Sequence, residues 1–255
     1  MDLDLWLIGL TVAAASWGAG AGTLLPRPAY RFAVDEEEPW QDECPAGHRI
    51  TGVARGWLGP ARCADRPGDP GPGCVYGPST RTVALVTALV CATLALATGT
   101  RPELAVWLLL APLGVLLTLV DVRAQRLPDP LTLPFAGLAL VLLGAVAFIP
   151  EHAGQWRTAA YGALALGGLY FVFFLIRPLA LGFGDVKLAL GLGAALGWYG
   201  WGALYVGTFA GALIGSGYTL VAAFRGRARR RQLVALGPFM IAGAYVGLLL
   251  EAHAA

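Results

Sequence analysis

"LTLVDVRAQRLPDPLTLP" (residues 117–134) decides the fold. An apolar run ends at Asp121, Arg123 and Arg126 follow, Pro128 and Pro130 bracket Asp129, and the chain then turns apolar again. Two apolar segments parted by a short polar turn read as a helical hairpin in a bilayer, where a spanning helix takes about 20 apolar residues. The alternation continues outward from this point in both directions. It gives eight candidate spans, at 3–25, 82–99, 103–121, 131–149, 158–176, 186–199, 201–224 and 233–250, the sixth of them short. Composition agrees: 57% of the residues are hydrophobic and 13% charged, against about a quarter charged in soluble domains. The fold class expected is an all-α polytopic membrane protein, with about eight transmembrane helices and a small loop-rich cytosolic insert. Its parts are a first transmembrane helix (1–25), the irregular insert (26–81) and a seven-helix membrane core (82–255). The start, "MDLDLWLIGL", lacks the basic region of a cleaved signal peptide and reads as a retained span.

The basic residues set the topology. With the N-terminus outside, the inside segments are 26–81, 122–130, 177–187 and 225–232, and they hold sixteen of the eighteen Arg and Lys residues. Only Arg101 and Arg157 fall outside. The stretch "RGRARRRQ" (225–232) reads as a topology anchor near anionic lipid. Nothing reads as a nucleic-acid site.

The insert is rich in Pro and Gly and carries an acidic run, "DEEE" (35–38). Its short apolar runs support either a small β-hairpin around "GHRITGVARG" (47–56) or a disordered loop. Cys44, His48, Cys63 and Cys74 lie in it. They offer a Cys₃His donor set for zinc, although the gap from Cys63 to Cys74 is wide for a zinc knuckle. Unliganded reduced thiols are the favoured reading, and a cytosolic location argues against a disulfide. Cys91, mid-span, reads as a small apolar side chain.

Most acidic residues fall in the insert or, like Glu103, near outside ends. Asp121, Asp129 and Asp185 remain. Asp121 closes the third span and Asp185, in "GFGDVK" (182–187), opens the sixth. Both land on the cytosolic side by the topology the arginines set. A carboxylate at the bilayer boundary is costly and is therefore a candidate for function. Two carboxylates on different helices at one depth can share a proton, one serving as base and the other as acid. Gly182 and Gly184 allow a sharp turn and close approach of the backbone. Asp185 also reads as a simple helix cap, and Asp129, between prolines, as a turn or cap residue. Lys187, the only lysine in the chain, reads either as a group that positions Asp185 or as a side chain snorkelling to the headgroups.

"GFGDVK", "VDVRAQRLPDPLTLP" and "LGPFMIAGA" (236–244) together resemble the prepilin peptidases, the type IV leader peptidase family of intramembrane aspartic proteases. The first matches the family's G-x-G-D-x-K pattern and the second its first catalytic segment. The resemblance covers about 82–250. It implies an aspartic endopeptidase that removes the short basic leader from type IV pilin-like precursors at the cytosolic face of a bacterial inner membrane. Asp121 and Asp185 would then be the catalytic pair, supported by Gly182, Gly184 and Lys187, and no cofactor would serve proteolysis. The precursor's apolar helix would pack beside glycine-rich spans such as "LGLGAALG" (190–197). Some members also methylate the new N-terminus with S-adenosylmethionine, but here the insert departs from the family pattern. It lacks paired C-x-x-C motifs, and "LLPRPAYRFAV" only loosely resembles the entry segment. The alternative reading is a proton-coupled membrane transporter with paired carboxylates.

Overall fold

The computed structural model describes residues 2–35, 38–63, 74–178, 181–225 and 235–254. Glu36, Glu37, Asp65, Asp69 and most of the basic stretch 225–232 lie outside these residues.

Each of the eight apolar runs forms a helix. They are α1 (Asp2–Leu24), α4 (Thr80–Thr98), α5 (Glu103–Ala124), α6 (Asp129–Val146), α7 (Trp156–Ile176), α8 (Phe183–Trp198), α9 (Trp201–Phe224) and α10 (Gly237–Ala254). Two short elements, α2 (Pro26–Arg31) and α3 (Val53–Gly56), lie in the insert. Six helices, α1, α4, α5, α6, α7 and α9, are long and apolar enough to cross a membrane. The other two long helices are α8, with 16 residues, and α10, whose last turn holds Glu251 and His253.

Small residues let these helices approach each other closely. A Cβ on Gly18 of α1 would lie 2.5 Å from the Thr87 carbonyl of α4, and one on Gly211 of α9 would lie 2.8 Å from the Phe239 carbonyl of α10. The stripe on α8 is used in the same way. A Cβ on Gly191 would strike Phe135 of α6, and one on Gly197 would lie 2.5 Å from the Thr158 carbonyl of α7. From Gly191 to Trp198 every α8 residue is buried, so α8 is the central helix. This corrects the expectation that 190–197 offers a face to a precursor, because α6 and α7 already cover it.

The insert is folded around two arginines. Arg27 donates from Nε to the Pro60 carbonyl at 2.9 Å and from Nη1 to the Thr51 carbonyl at 2.9 Å. Arg31 is 5% exposed, lies 4.0 Å from the centre of the Trp57 ring and pairs with Asp42. Phe32 packs against both Trp40 and Trp57, each at 4.9 Å between centroids. The hairpin expected at 47–56 does not form there. A tight turn instead joins Glu43 and Arg49 in an isolated bridge, closed by Cys44 N–H to the His48 carbonyl at 2.9 Å. Ala54 and Arg55, at φ 50° and 58°, turn the chain left-handed and interrupt any strand.

Candidate active site

Asp121 sits in the last turn of α5 and Asp185 in the first turn of α8. They are 3% and 9% exposed. The α5 helix stops three residues beyond Asp121, because Gln125 adopts the left-handed conformation (φ 50°) and donates its N–H to the Asp121 carbonyl at 2.8 Å. The chain then passes Leu127 and starts α6 at Asp129, with Pro130 in its first turn. This turn presses against the mouth of α8: a Cβ on Gly184 would lie 2.7 Å from Leu127 Cβ and 2.8 Å from its carbonyl oxygen. Only glycine allows that contact, and the contact brings the end of α5 beside the start of α8.

Each carboxylate is held by a backbone N–H. Gly182 donates to Asp185 Oδ2 at 3.0 Å, the reciprocal contact of a capping box. Gly237, at the start of α10, donates to Asp121 Oδ2 at 2.9 Å. Among the described residues neither Asp121 nor Asp185 has a cation within ion-pair distance. Both line one cavity of about 630 Å³, together with Gly182, Gly184, Lys187 and Asp129. Asp35 of the insert also lines this cavity, and its carbonyl accepts from Arg126 Nη1 at 2.9 Å. The insert therefore borders the mouth of the site.

Lys187 does not reach Asp185. Its Nζ lies 2.5 Å from Asp129 Oδ1 and 4.8 Å from the centre of the Phe183 ring. Asp129, read from the sequence as a turn residue, is thus the acid that Lys187 meets, and the pair ties the start of α6 to the start of α8. Gly237 was missed as a donor. The Gly-Pro-Phe stretch was noticed, but nothing local in it shows that its amide points at Asp121, 116 residues earlier.

A second cluster lies in the insert. Cys63 and Cys74 are joined as a disulfide, which corrects the expectation of separate reduced thiols. Cys44 Sγ lies 3.2 Å from Cys63 Sγ and 3.8 Å from Cys74 Sγ. The ligand atoms of Cys44, His48 and Cys63 lie within 4.8 Å of one another. The four candidate donors are therefore gathered at one place despite their wide spacing in the chain. The cavity among them measures about 40 Å³, too small for a ligand the size of S-adenosylmethionine.

Residues 105–220 match the model of the type IV leader peptidase family. The chain is 38% identical to a prepilin leader peptidase/N-methyltransferase of Burkholderia pseudomallei over 131 residues, 49% of this chain and 39% of that protein. It is 35% identical over 137 residues to the protein of that name from Escherichia coli (52% and 57%). It is 32% identical over 170 residues to that of Aeromonas salmonicida (65% and 55%). The chain thus spans about half the length of the curated relatives it matches. No solved structure matches it. Apolar helices of spanning length and this family match together mark an integral inner-membrane protein. Residues 105–220, which match the type IV leader peptidase family, hold Asp121, Asp185 and most of the helices that carry them.

Proposed function

We propose that the chain is an intramembrane aspartic endopeptidase that removes the short basic leader from type IV pilin-like precursors at the cytosolic membrane face. One observation carries this reading: two buried carboxylates from two helices line a single cavity, and among the described residues neither is neutralised by a cation. One carboxylate takes a proton from water as the oxygen attacks the amide carbonyl. The other donates its proton to the developing oxyanion, and the amine leaves with a proton as the tetrahedral species collapses. The Gly182 and Gly237 amides each fix one carboxylate oxygen. The other oxygen of each, Oδ1, has no hydrogen-bond partner among the described residues and is free for water or for the other acid.

A transporter reading loses its main support. Both aspartates sit at helix ends rather than near the middle of a span, and the relatives carry peptidase names. The distribution of arginines supports an N-terminus outside and a site that faces the cytosol.

The cysteine cluster has the donor chemistry of a structural zinc site. With Zn–S bonds of about 2.3 Å, two sulfurs of a tetrahedron lie about 3.8 Å apart, which is the observed spacing of Cys44 and Cys74. Once the disulfide is reduced, Cys44, His48, Cys63 and Cys74 would hold the ion, which would pin the insert beside the cavity mouth. Metal analysis of protein purified under reducing conditions tests this. About one zinc per chain, lost in Cys63→Ser, is expected, and metal-free wild type rejects it.

The peptidase reading is tested by co-expression with a pilin-like precursor. Wild type should release the leader, and Asp121→Asn and Asp185→Asn should each leave the precursor uncut while remaining in the membrane. Cleavage retained in either variant rejects the dyad.

A further inference from the structure

A precursor cut beside the membrane needs a seat for its apolar helix, and the small-residue stripe of α8 is already buried against α6 and α7. A different surface runs along the face of α5 that carries Asp121. Helices α4, α5 and α10 enclose an apolar groove of about 350 Å³. On α5 its lining includes Gly114 and Thr118, which stand at i, i+4 and i+7 with Asp121, on one helical face. On α10 the lining includes Pro238, Ile241 and Tyr245, beginning one residue beyond Gly237. The groove and the polar cavity therefore lie on either side of the contact in which the Gly237 amide holds Asp121.

The two compartments differ in chemistry. In the groove, Thr118 Oγ1 is spent on the Gly114 carbonyl at 2.9 Å and Tyr245 OH on Thr93 Oγ1 at 2.5 Å, so these hydroxyls ask nothing of an occupant. Among the described residues, the cavity at the dyad is lined by Asp35, Asp121, Asp129 and Asp185, against Arg126 and Lys187 as cations. Among these residues acid prevails. An occupant of both compartments has an apolar half and a basic half joined at the reacting bond. A lipid with a phosphate headgroup has the wrong charge for the acidic half, whereas a basic leader followed by an apolar helix has the right one.

We infer that the groove between α4, α5 and α10 seats the first turns of the precursor's apolar helix, while the basic leader lies in the acidic cavity. This rests on the peptidase reading above and names where its substrate binds. Gly114 lies seven residues from Asp121, about 10 Å along the helix axis, so it would face roughly the second turn beyond the cut. A Cβ at Gly114 would meet only Ile241 Cγ2, at 3.7 Å. A larger side chain there enters the groove without striking backbone.

The test compares two substrates: the full precursor, and a soluble peptide that spans the cut but lacks the apolar helix. In Gly114→Leu, the ratio of kcat/KM for precursor to that for peptide should fall about tenfold or more. Ile241→Trp narrows the groove from the opposite wall and should lower the same ratio, which covers the case in which Gly114→Leu fails to fold. A photo-crosslinking residue at Val86, on the groove's exposed rim, in an Asp185→Asn background should capture the precursor within its apolar helix. An unchanged ratio, or adducts to lipid alone, overturns the inference and leaves the peptidase reading standing. Wild type that cuts neither substrate overturns the peptidase reading itself.

Discussion

Helix α5 carries a buried acid at each end, and the two are answered differently. Glu103, its first residue, is fully buried. Its Oε1 lies 3.8 Å from Arg101 Nε and accepts from the Ala153 amide at 3.3 Å and Tyr199 OH at 3.5 Å. Arg101 in turn donates to the carbonyls of Thr98, Ala97 and Ala252. This network ties α4, α5, the loop after α6, the turn after α8 and the end of α10. Asp121, eighteen residues along and so about 27 Å away on the helix axis, meets one backbone amide and shares its cavity with a second acid. A buried acid answered by a cation serves architecture. A buried acid left with another acid, in a cavity with room for water, is held in a state that suits proton transfer.

The sharpest way to break this contrast is to neutralise each end in turn. Asp121→Asn or Asp185→Asn should cut turnover by about 10²–10⁴-fold, and the double variant should be no worse than the poorer single, because the two acids act as one unit. Thermal unfolding in detergent should barely move. Glu103→Ala should do the reverse. It leaves the largely buried Arg101 without its acid and should cost about 3 kcal/mol of stability, with turnover per folded molecule unchanged. A Glu103 variant that is stable but inactive would erase the distinction between the two ends.

Next in size is the amide that holds Asp121. A methyl group at position 237 would lie 2.7 Å from Asp121 Oδ2, so Gly237→Ala must displace either the carboxylate or the start of α10. Misplacement by a fraction of an ångström to an ångström should lower kcat about ten- to a hundredfold, with KM for the precursor less affected. Equal loss in both constants would make Gly237 a part of the binding surface instead. Gly237 also lies beyond residues 105–220, so this test asks whether the site needs a helix outside the matched domain.

The Asp121 end was legible in the sequence because its parts are local: an apolar run ending in aspartate, and glycines flanking a second aspartate at a helix mouth. The eight helices were legible for the same reason, since hydropathy is a property of each run taken alone. The Glu103 end was not. Arg101-Pro102-Glu103 looks like a solvated helix start, and its burial is created by Ala153, Tyr199 and Ala252, some 50 to 150 residues away. The insert was illegible on other grounds. Its order comes from arginines bonded to carbonyls and stacked on tryptophans, contacts that leave no periodic trace. Lys187 shows the limit within the site itself. The motif placed it beside Asp185, but only the packing of α6 on α8 shows that its ammonium meets Asp129, 58 residues earlier.

That pair gives the smallest effect and the finest test of the contrast, because it is an acid with a cation in the cavity that holds Asp121 and Asp185. The side chains of Lys187 and Asp129 are 14% and 59% exposed, so the pair should be worth less than about 1 kcal/mol and should weaken with added salt. If it only ties α6 to α8, then Lys187→Met, Asp129→Asn and the double variant should all lose the same few-fold activity, because removing either partner removes the whole interaction. If Lys187 acts instead through the electric field on Asp185, Lys187→Met should cost the same in wild type and in Asp129→Asn, and the two losses should multiply. Multiplying losses would move Lys187 from architecture into chemistry. Equal losses would show that an acid paired with a cation stays structural even when it lines the cavity of the dyad.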